Sequence, residues 1–263
     1  MGEHFWLDGR VLENSNEEEE GTHMSRTSAI LIAMAILLIA AGGATATTYG
    51  TVTAKVLQAG YGLNMASMLG PYDTSWWSGY TGQYILQYSN MQPVLPLTTI
   101  AYCIEVETIN WGGVYPYTVV SASDTPVQSG PLDQNYGPMG SAKAAYLREL
   151  WGRFGSQVNN NVSGAAFALA TYEIVFENLS AGWDLDSGLV KARRDSGNPT
   201  LAIDLAESWL AQVNGQGPMA QICGLTNPQH QDFIIRVVPE PMSVVLAVMG
   251  SFTLVGFRRL RKS

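Results

Sequence analysis

The sequence has little charge, few cysteines and almost no histidine. Its 263 residues carry 14 basic and 22 acidic side chains, a net charge of −8 and a charged fraction of 14%, against ~25% in ordinary soluble proteins. That balance excludes a basic nucleic-acid-binding protein and a highly charged disordered chain. Two cysteines are too few for a disulfide-dense miniprotein or a four-cysteine zinc site.

Histidine is scarce where chemistry would need it. After the first 23 residues the chain contains a single histidine, His230. A serine protease triad would have to use it, yet no Gly-x-Ser-x-Gly elbow accompanies it. His230 and Cys223 cannot by themselves complete a tetrahedral zinc site. The segment Asp184–Gly188 looks like the start of a calcium loop but lacks the glutamate at loop position twelve. We therefore expect no metal, no cofactor and no enzymatic activity.

A secretory signal peptide is predicted over residues 24–46. A basic start at Arg26 precedes thirteen uncharged residues, Ala29 to Ala41, and an Ala-x-Ala site ends at Ala46. This order is typical of a cleaved signal, and thirteen helical residues cover only ~20 Å, too little for a ~30 Å hydrocarbon core. Residues 1–23 are acidic and precede a signal that ordinarily opens a chain. We interpret them as a mis-called extension before a true start at Met24.

The C-terminal end has three parts in a fixed order. Pro239-Glu240-Pro241 is followed by sixteen uncharged residues, Met242 to Phe257, and then by a basic cluster of Arg258, Arg259, Arg261 and Lys262. Sixteen residues form a helix of ~24 Å, and the terminal bases favour the cytoplasmic side. The pattern predicts a transmembrane helix over 242–257 with a stop-transfer tail.

This tail, residues 238–263, resembles the PEP-CTERM sorting signal. The resemblance implies an exported protein processed by signal peptidase and by an exosortase, a membrane protease that cuts near Pro-Glu-Pro. The protein would be anchored in the inner membrane before processing and would reach the cell surface or extracellular matrix afterwards. An extracellular polysaccharide is then a candidate partner.

The body between the two ends, residues 47–237, reads as one α+β domain. Glycine- and proline-rich connections are predicted over 60–82 and 124–140. Leu201, Leu205 and Trp209 are expected to share one face of the third helix. The predicted strands cover 49–57, 83–88, 98–106, 112–120 and 231–238, and helical periodicity indicates helices over 141–154, over 163–177 and from Asn198 onward.

Two segments of this body resemble the thioester domain of bacterial surface proteins. Tyr102-Cys103-Ile104-Glu105-Val106 matches its cysteine strand, and Ala165 to Glu177 matches its helix of the form Ala-Phe-Gln-Leu-Ala-Ile-Trp-Glu-Ile/Val. The resemblance implies an internal thioester between a cysteine and a glutamine, an electrophile that amines can capture. Here Ala168 occupies the glutamine position and Tyr172 the tryptophan position. We expect a degenerate thioester domain without the bond. A covalent adhesin using another glutamine remains the alternative; Gln157 is a weak substitute.

Cys103 and Cys223 share an oxidising compartment if the chain is exported. If their strands are neighbours, a disulfide between them would close a long loop and stabilise the domain by ~4–5 kcal/mol. The alternative is two separate thiols.

Two further patterns leave a carbohydrate function open. Glu105 and Glu107 are two apart on a predicted strand and could serve a glycan hydrolase, although a solvated strand face is the more common explanation. Trp76, Trp77 and Trp111 could stack on sugar rings, but we favour core positions for them.

Overall fold

The structure, a computed structural model, describes residues 48–69, 76–92, 98–105, 109–128, 136–180 and 182–237. It is an α+β fold in which strands dominate, as the sequence predicts. The strands are β1 Gly50–Leu69, β2 Trp77–Gln92, β3 Thr98–Cys103, β4 Val114–Ser121, β5 Pro126–Gln128, β6 Tyr136–Pro138, β7 Val190–Ala192, β8 Ile222–Asn227 and β9 His230–Arg236; the helices are α1 Ser141–Phe154, α2 Asn161–Phe176 and α3 Asn198–Leu210.

The strands form one large antiparallel sheet in the order β2-β3-β9-β8-β4-β1-β7. A further ladder joins β1 to β2, so β1, β2, β3, β9, β8 and β4 form a closed circuit of pairings. The short strands β5 and β6 make a separate two-stranded sheet. This closure gives nearly every long strand a partner on both sides and leaves few unpaired edges.

The predicted connection over residues 60–82 is wrong, because most of it is strand. β1 continues to Leu69, and β2 begins at Trp77. Two glycines there allow the backbones of β1 and β2 to approach closely and do not form a turn. Gly62 and Gly82 are paired across the ladder, and a Cβ on Gly82 would lie 2.4 Å from the Tyr61 carbonyl oxygen. Glycine inside a strand often marks such an approach of two backbones.

The three helices appear where periodicity predicts them. α1 buries the expected stripe, which includes Leu147, Leu150 and Phe154. α3 buries Trp209, but Leu201 is 55% exposed, so the predicted shared face is wrong at that residue. A face built on Ala202, Ile203, Ala206 and Leu210 packs inward instead.

α2 lies in the centre of the domain and is buried on all sides. Every residue from Ser163 to Phe176 is buried, as expected of a helix that is apolar all round. A capping box formed by Asn160 and Ser163 starts it. Gly164 allows it to approach β1 closely, since a Cβ there would lie 2.2 Å from the Tyr61 carbonyl oxygen.

The predicted elements at both chain ends lie outside the described residues. They are the extension over 1–23, the signal peptide over 24–46, and the sorting signal over 238–263 with its helix over 242–257. Within the described ranges, no helix has both the length and the apolar character needed to cross a membrane.

Candidate site around Cys103

Cys103 ends β3 and lies opposite Phe233 of β9. Its side chain is only 4% exposed, and the thiol is free. The neighbouring Tyr102 is also buried and packs on Phe167 of α2, with ring centroids 4.7 Å apart. This end of β3 therefore pairs with neighbouring strands of the sheet and packs against α2, the central helix.

Two tyrosine hydroxyls lie near the Cys103 thiol. The hydroxyls of Tyr172 from α2 and Tyr84 from β2 lie near the Cys103 sulfur and favour its charged form. We call these three side chains the thiol site. Burial raises the pKa of Cys103 far above its ordinary value and outweighs the two tyrosine hydroxyls, which act in the opposite direction. Since the thiolate is the nucleophile, this thiol is held in its protonated, unreactive form.

Helix α2 places Ala168 one turn before Tyr172, so the two residues share a helix face. Both are buried, Ala168 at 2% and Tyr172 at 7% exposure. The face that supplies a hydroxyl to Cys103 therefore carries a methyl group where the resemblance expects a carboxamide. A methyl group offers no carbon that a thiol can acylate.

Gln157, the weak substitute, lies on the surface. It ends the short 3-10 turn after α1, is exposed, and donates from Nε2 to the Arg153 carbonyl. An exposed carboxamide held in this way does not meet the buried Cys103.

Two other glutamines are buried in the described part of the chain. Gln83 accepts a hydrogen bond from the Tyr61 amide. Gln231 lies on β9, two residues from Phe233 and therefore on the same face of the sheet as Cys103. Its Nε2 donates to the carbonyls of Glu105 at 3.1 Å and Asp232 at 3.0 Å. Sequence reasoning missed this proximity, because it depends on the β3–β9 register.

Glu105 is buried at 6% exposure, so the expected solvated strand face is wrong for this residue. Its Oε2 accepts from the Asp232 amide at 2.9 Å, and Asp232 Oδ1 accepts from the Asn227 amide at 2.7 Å. Glu107, its predicted partner, lies outside the described residues. Asp232, on a distant segment, contacts the Glu105 carboxylate through its backbone amide.

The predicted disulfide between Cys103 and Cys223 is not formed; both thiols are free and buried. Cys223 lies on β8 opposite Ile235 of β9, whereas Cys103 lies opposite Phe233. β9 therefore separates the two cysteines, and two strand spacings amount to roughly 10 Å. A disulfide requires Cα atoms within ~7 Å.

The tryptophans are more exposed than predicted. Trp76 is 46% and Trp111 is 51% exposed, so the favoured core positions are wrong for both. Trp111 still contacts Tyr84, with ring centroids 5.7 Å apart, and Arg193 lies 5.9 Å above the Trp76 ring. The side chain of Trp77 lies outside the described part of the structure.

The remaining candidates have structural contacts. His230 stacks on Tyr115 at 3.5 Å between centroids. Asp184, Asp186 and Glu207 come close enough together to hold a cation, but Arg194 pairs with Asp186 and Glu207 there. The arginine already supplies the positive charge that this acidic cluster requires.

Comparison with family models, with curated proteins and with solved structures finds no match to the chain.

Proposed function

We propose that this chain is an exported, non-enzymatic protein of the cell surface or extracellular matrix. The signal peptide over 24–46 would direct export, and the tail over 238–263 would hold the protein in the inner membrane until an exosortase cuts near Pro239-Glu240-Pro241. The body would be a degenerate thioester domain that presents a surface and forms no thioester. Signal peptidase and the exosortase are then its processing partners, and an extracellular polysaccharide is a candidate ligand.

The contact between Tyr172 and Cys103 carries the proposal for the body. The resemblance requires the cysteine strand to face the helix that begins at Ala165, although the two segments are about 60 residues apart in sequence. The closeness of the Tyr172 hydroxyl to the Cys103 sulfur is what such an arrangement would produce. Ala168, on the same helix face, supports the absence of the bond.

Restoring the missing carboxamide tests this assignment. In a Cys223→Ser background, Ala168→Gln would place a glutamine beside the Cys103 thiol. Attack of the sulfur on the carboxamide carbon would form the thioester and release one ammonia. Intact mass spectrometry should find that loss in Ala168→Gln and not in a matched Ala170→Gln control. A free Cys103 thiol and unchanged mass in a folded Ala168→Gln protein would argue against the thioester-domain assignment.

Sorting is tested separately. Replacing Pro239, Glu240 and Pro241 together by alanine should leave the protein in the inner membrane, because the apolar segment 242–257 with its basic flank would remain uncut. Fractionation of cells followed by immunoblotting reads the outcome. If the triple substitution leaves delivery to the surface unchanged, the sorting proposal is wrong. That result would not bear on the assignment of the fold.

A second candidate is the covalent adhesin, and the position of Gln231 favours it over the use of Gln157. Gln231 is buried and shares a sheet face with Cys103. Against it, the Gln231 amide donates to two backbone carbonyls, which hold it in a structural role. A mass lower by one ammonia in the unmodified protein, abolished by Gln231→Asn, would establish this candidate.

A further inference from the structure

A cavity of about 540 Å³ lies where both ends of the described domain meet. It opens between the β4–β8 side of the sheet and the first turns of α1. We call it the terminal cavity; its lining includes Tyr49, Val119, Ala144, Arg148, Cys223 and Val237. The volume falls within the ~300–1,000 Å³ typical of ligand sites, enough to receive a few residues of extended chain.

The C-terminal end of the domain leads into this cavity. The Val237 amide donates to the Gln221 carbonyl at 2.9 Å, and both residues line the cavity. The tail continues with Val238-Pro239-Glu240-Pro241. Three residues of extended chain span up to ~10 Å, so a Glu240 side chain that starts from Val237 can reach the cavity wall.

Arg148 lies beside the same point. Its Nε donates to the Ala220 carbonyl at 3.2 Å, and its own carbonyl accepts from the Ala220 amide at 2.9 Å. Ala220 directly precedes Gln221, the residue that holds Val237. Among the described lining residues, Arg148 is the one that carries a charge, and its side chain is exposed.

The tail matches this charge. Residues 238–263 contain one acidic side chain, Glu240. The prolines on either side of it have a fixed φ, which lowers the entropy lost when the segment is ordered. The cavity wall offers them apolar contacts at Ala144 and Val119.

We propose that residues 238–241 dock in the terminal cavity and that Glu240 pairs with Arg148. The folded domain then binds the Pro-Glu-Pro segment on its own surface, so the segment is not free in solution. The docking does not rest on the sorting proposal, because it concerns contacts within one folded chain. If sorting operates, a protease would have to recognise this segment together with the domain or after its release.

Site-specific photo-crosslinking of the full-length protein in detergent tests the docking. With p-benzoylphenylalanine in place of Pro241, crosslinks located by mass spectrometry should fall on the cavity wall, at Ala144, Ala145, Arg148 or Gln221. Glu240→Gln should lower the yield about two- to fivefold, the worth of a partly exposed ion pair. Arg148→Glu should lower it further, and the swap of Arg148→Glu with Glu240→Arg should restore it.

Arg236→Glu is the matched control, because Arg236 is exposed near the same end of the chain and does not line the cavity; the crosslink yield should not change. Crosslinks outside the cavity, or between two copies, would overturn the proposal. So would a yield that is indifferent to Glu240→Gln and to the charge swap. Crosslinking of the cavity by a probe at Ala46, and not by the probe at position 241, would assign it to the N-terminal segment and also overturn the proposal.

Discussion

The two cysteines lie in the same sheet, on strands that are separated by β9, yet their surroundings differ. At the thiol site, Cys103 is enclosed by β2, β9 and the central helix, and two tyrosine hydroxyls lie near its sulfur. At the terminal cavity, Cys223 is equally buried, but its strand borders an open volume beside Arg148. Burial raises the pKa of both thiols, that of Cys223 to about 12.

This difference shows that burial alone does not define a site. The three side chains of the thiol site are all buried, so a substitution there must displace neighbouring atoms. The terminal cavity has free volume and an exposed cation, so it can accept further chain. The thiol site, which carries the recognisable motif, consists of buried side chains. The terminal cavity, which carries no motif, has room for a ligand.

The largest effect is expected where α2 approaches β1. Gly164→Ala should destabilise the domain by about 3 kcal/mol or more, at the upper end of overpacking costs, because the new Cβ would overlap the Tyr61 backbone. Gly155→Ala is the control, since its Cβ would make an ordinary 3.5 Å contact with Trp151. Urea unfolding followed by circular dichroism measures both. Equal stability of the two variants would contradict the close packing of α2.

A smaller effect should appear with pH, at Glu173 on the same helix. Its Oε1 accepts from the Asp184 amide, and among the described residues Oε2 has no hydrogen-bond partner. Burial raises the pKa of Glu173 to about 7, above the value near 4.3 of an unfolded glutamate. As the pH rises, the Glu173 carboxyl therefore stays protonated to a higher pH in the folded state than in the unfolded state. The contribution of Glu173 to the free energy of unfolding should be greatest below pH ~4.3 and fall as the pH rises towards 7, by roughly 1.4 kcal/mol per unit of pKa difference.

Glu173→Gln removes this titration while keeping the shape of the side chain. Thermal unfolding at several pH values should show the Tm of the wild type falling relative to that of the variant as the pH rises from about 4.5 to 7. Parallel curves for the two proteins would mean that Glu173 has an ordinary pKa in the folded state.

The smallest effects should come from the cysteines themselves. Cys103→Ala should cost about 1–3 kcal/mol, because it removes a buried sulfur atom that fills space beside two buried tyrosines. Cys223→Ala should cost less, since its surroundings can relax into the cavity. The two costs should add within about 0.5 kcal/mol, as for separated sites. A double variant no less stable than either single variant would instead indicate a shared crosslink, which thiol labelling after unfolding checks directly.

The helices were predictable because their signals are local. The stripe of Leu147, Leu150 and Phe154, and the proline after Asn198, each act within a few residues. The strands across 60–82 were not, because glycine signals a turn or a close approach depending on its partner, and Gly82 is paired with Gly62.

The thiol site was predictable only in part. The cysteine and the helix could be identified from their motifs, whereas Tyr84 comes from a strand whose pairing with β3 the sequence does not reveal. The same order, with β9 between β3 and β8, prevents the disulfide that the two cysteines suggested. Long-range register sets these contacts, and no local pattern encodes it.

The most direct test of the central claim, a buried and free Cys103 thiol in a domain without a thioester, is one intact-mass measurement. The purified full-length protein is measured before and after incubation with methylamine, and again after denaturation with a thiol-alkylating reagent. We predict a mass that shows no loss of ammonia from the chain as purified, no change with methylamine, and two alkylated thiols after denaturation. A mass lower by one ammonia that shifts upward by one methylamine, with only one free thiol beforehand, would contradict the claim.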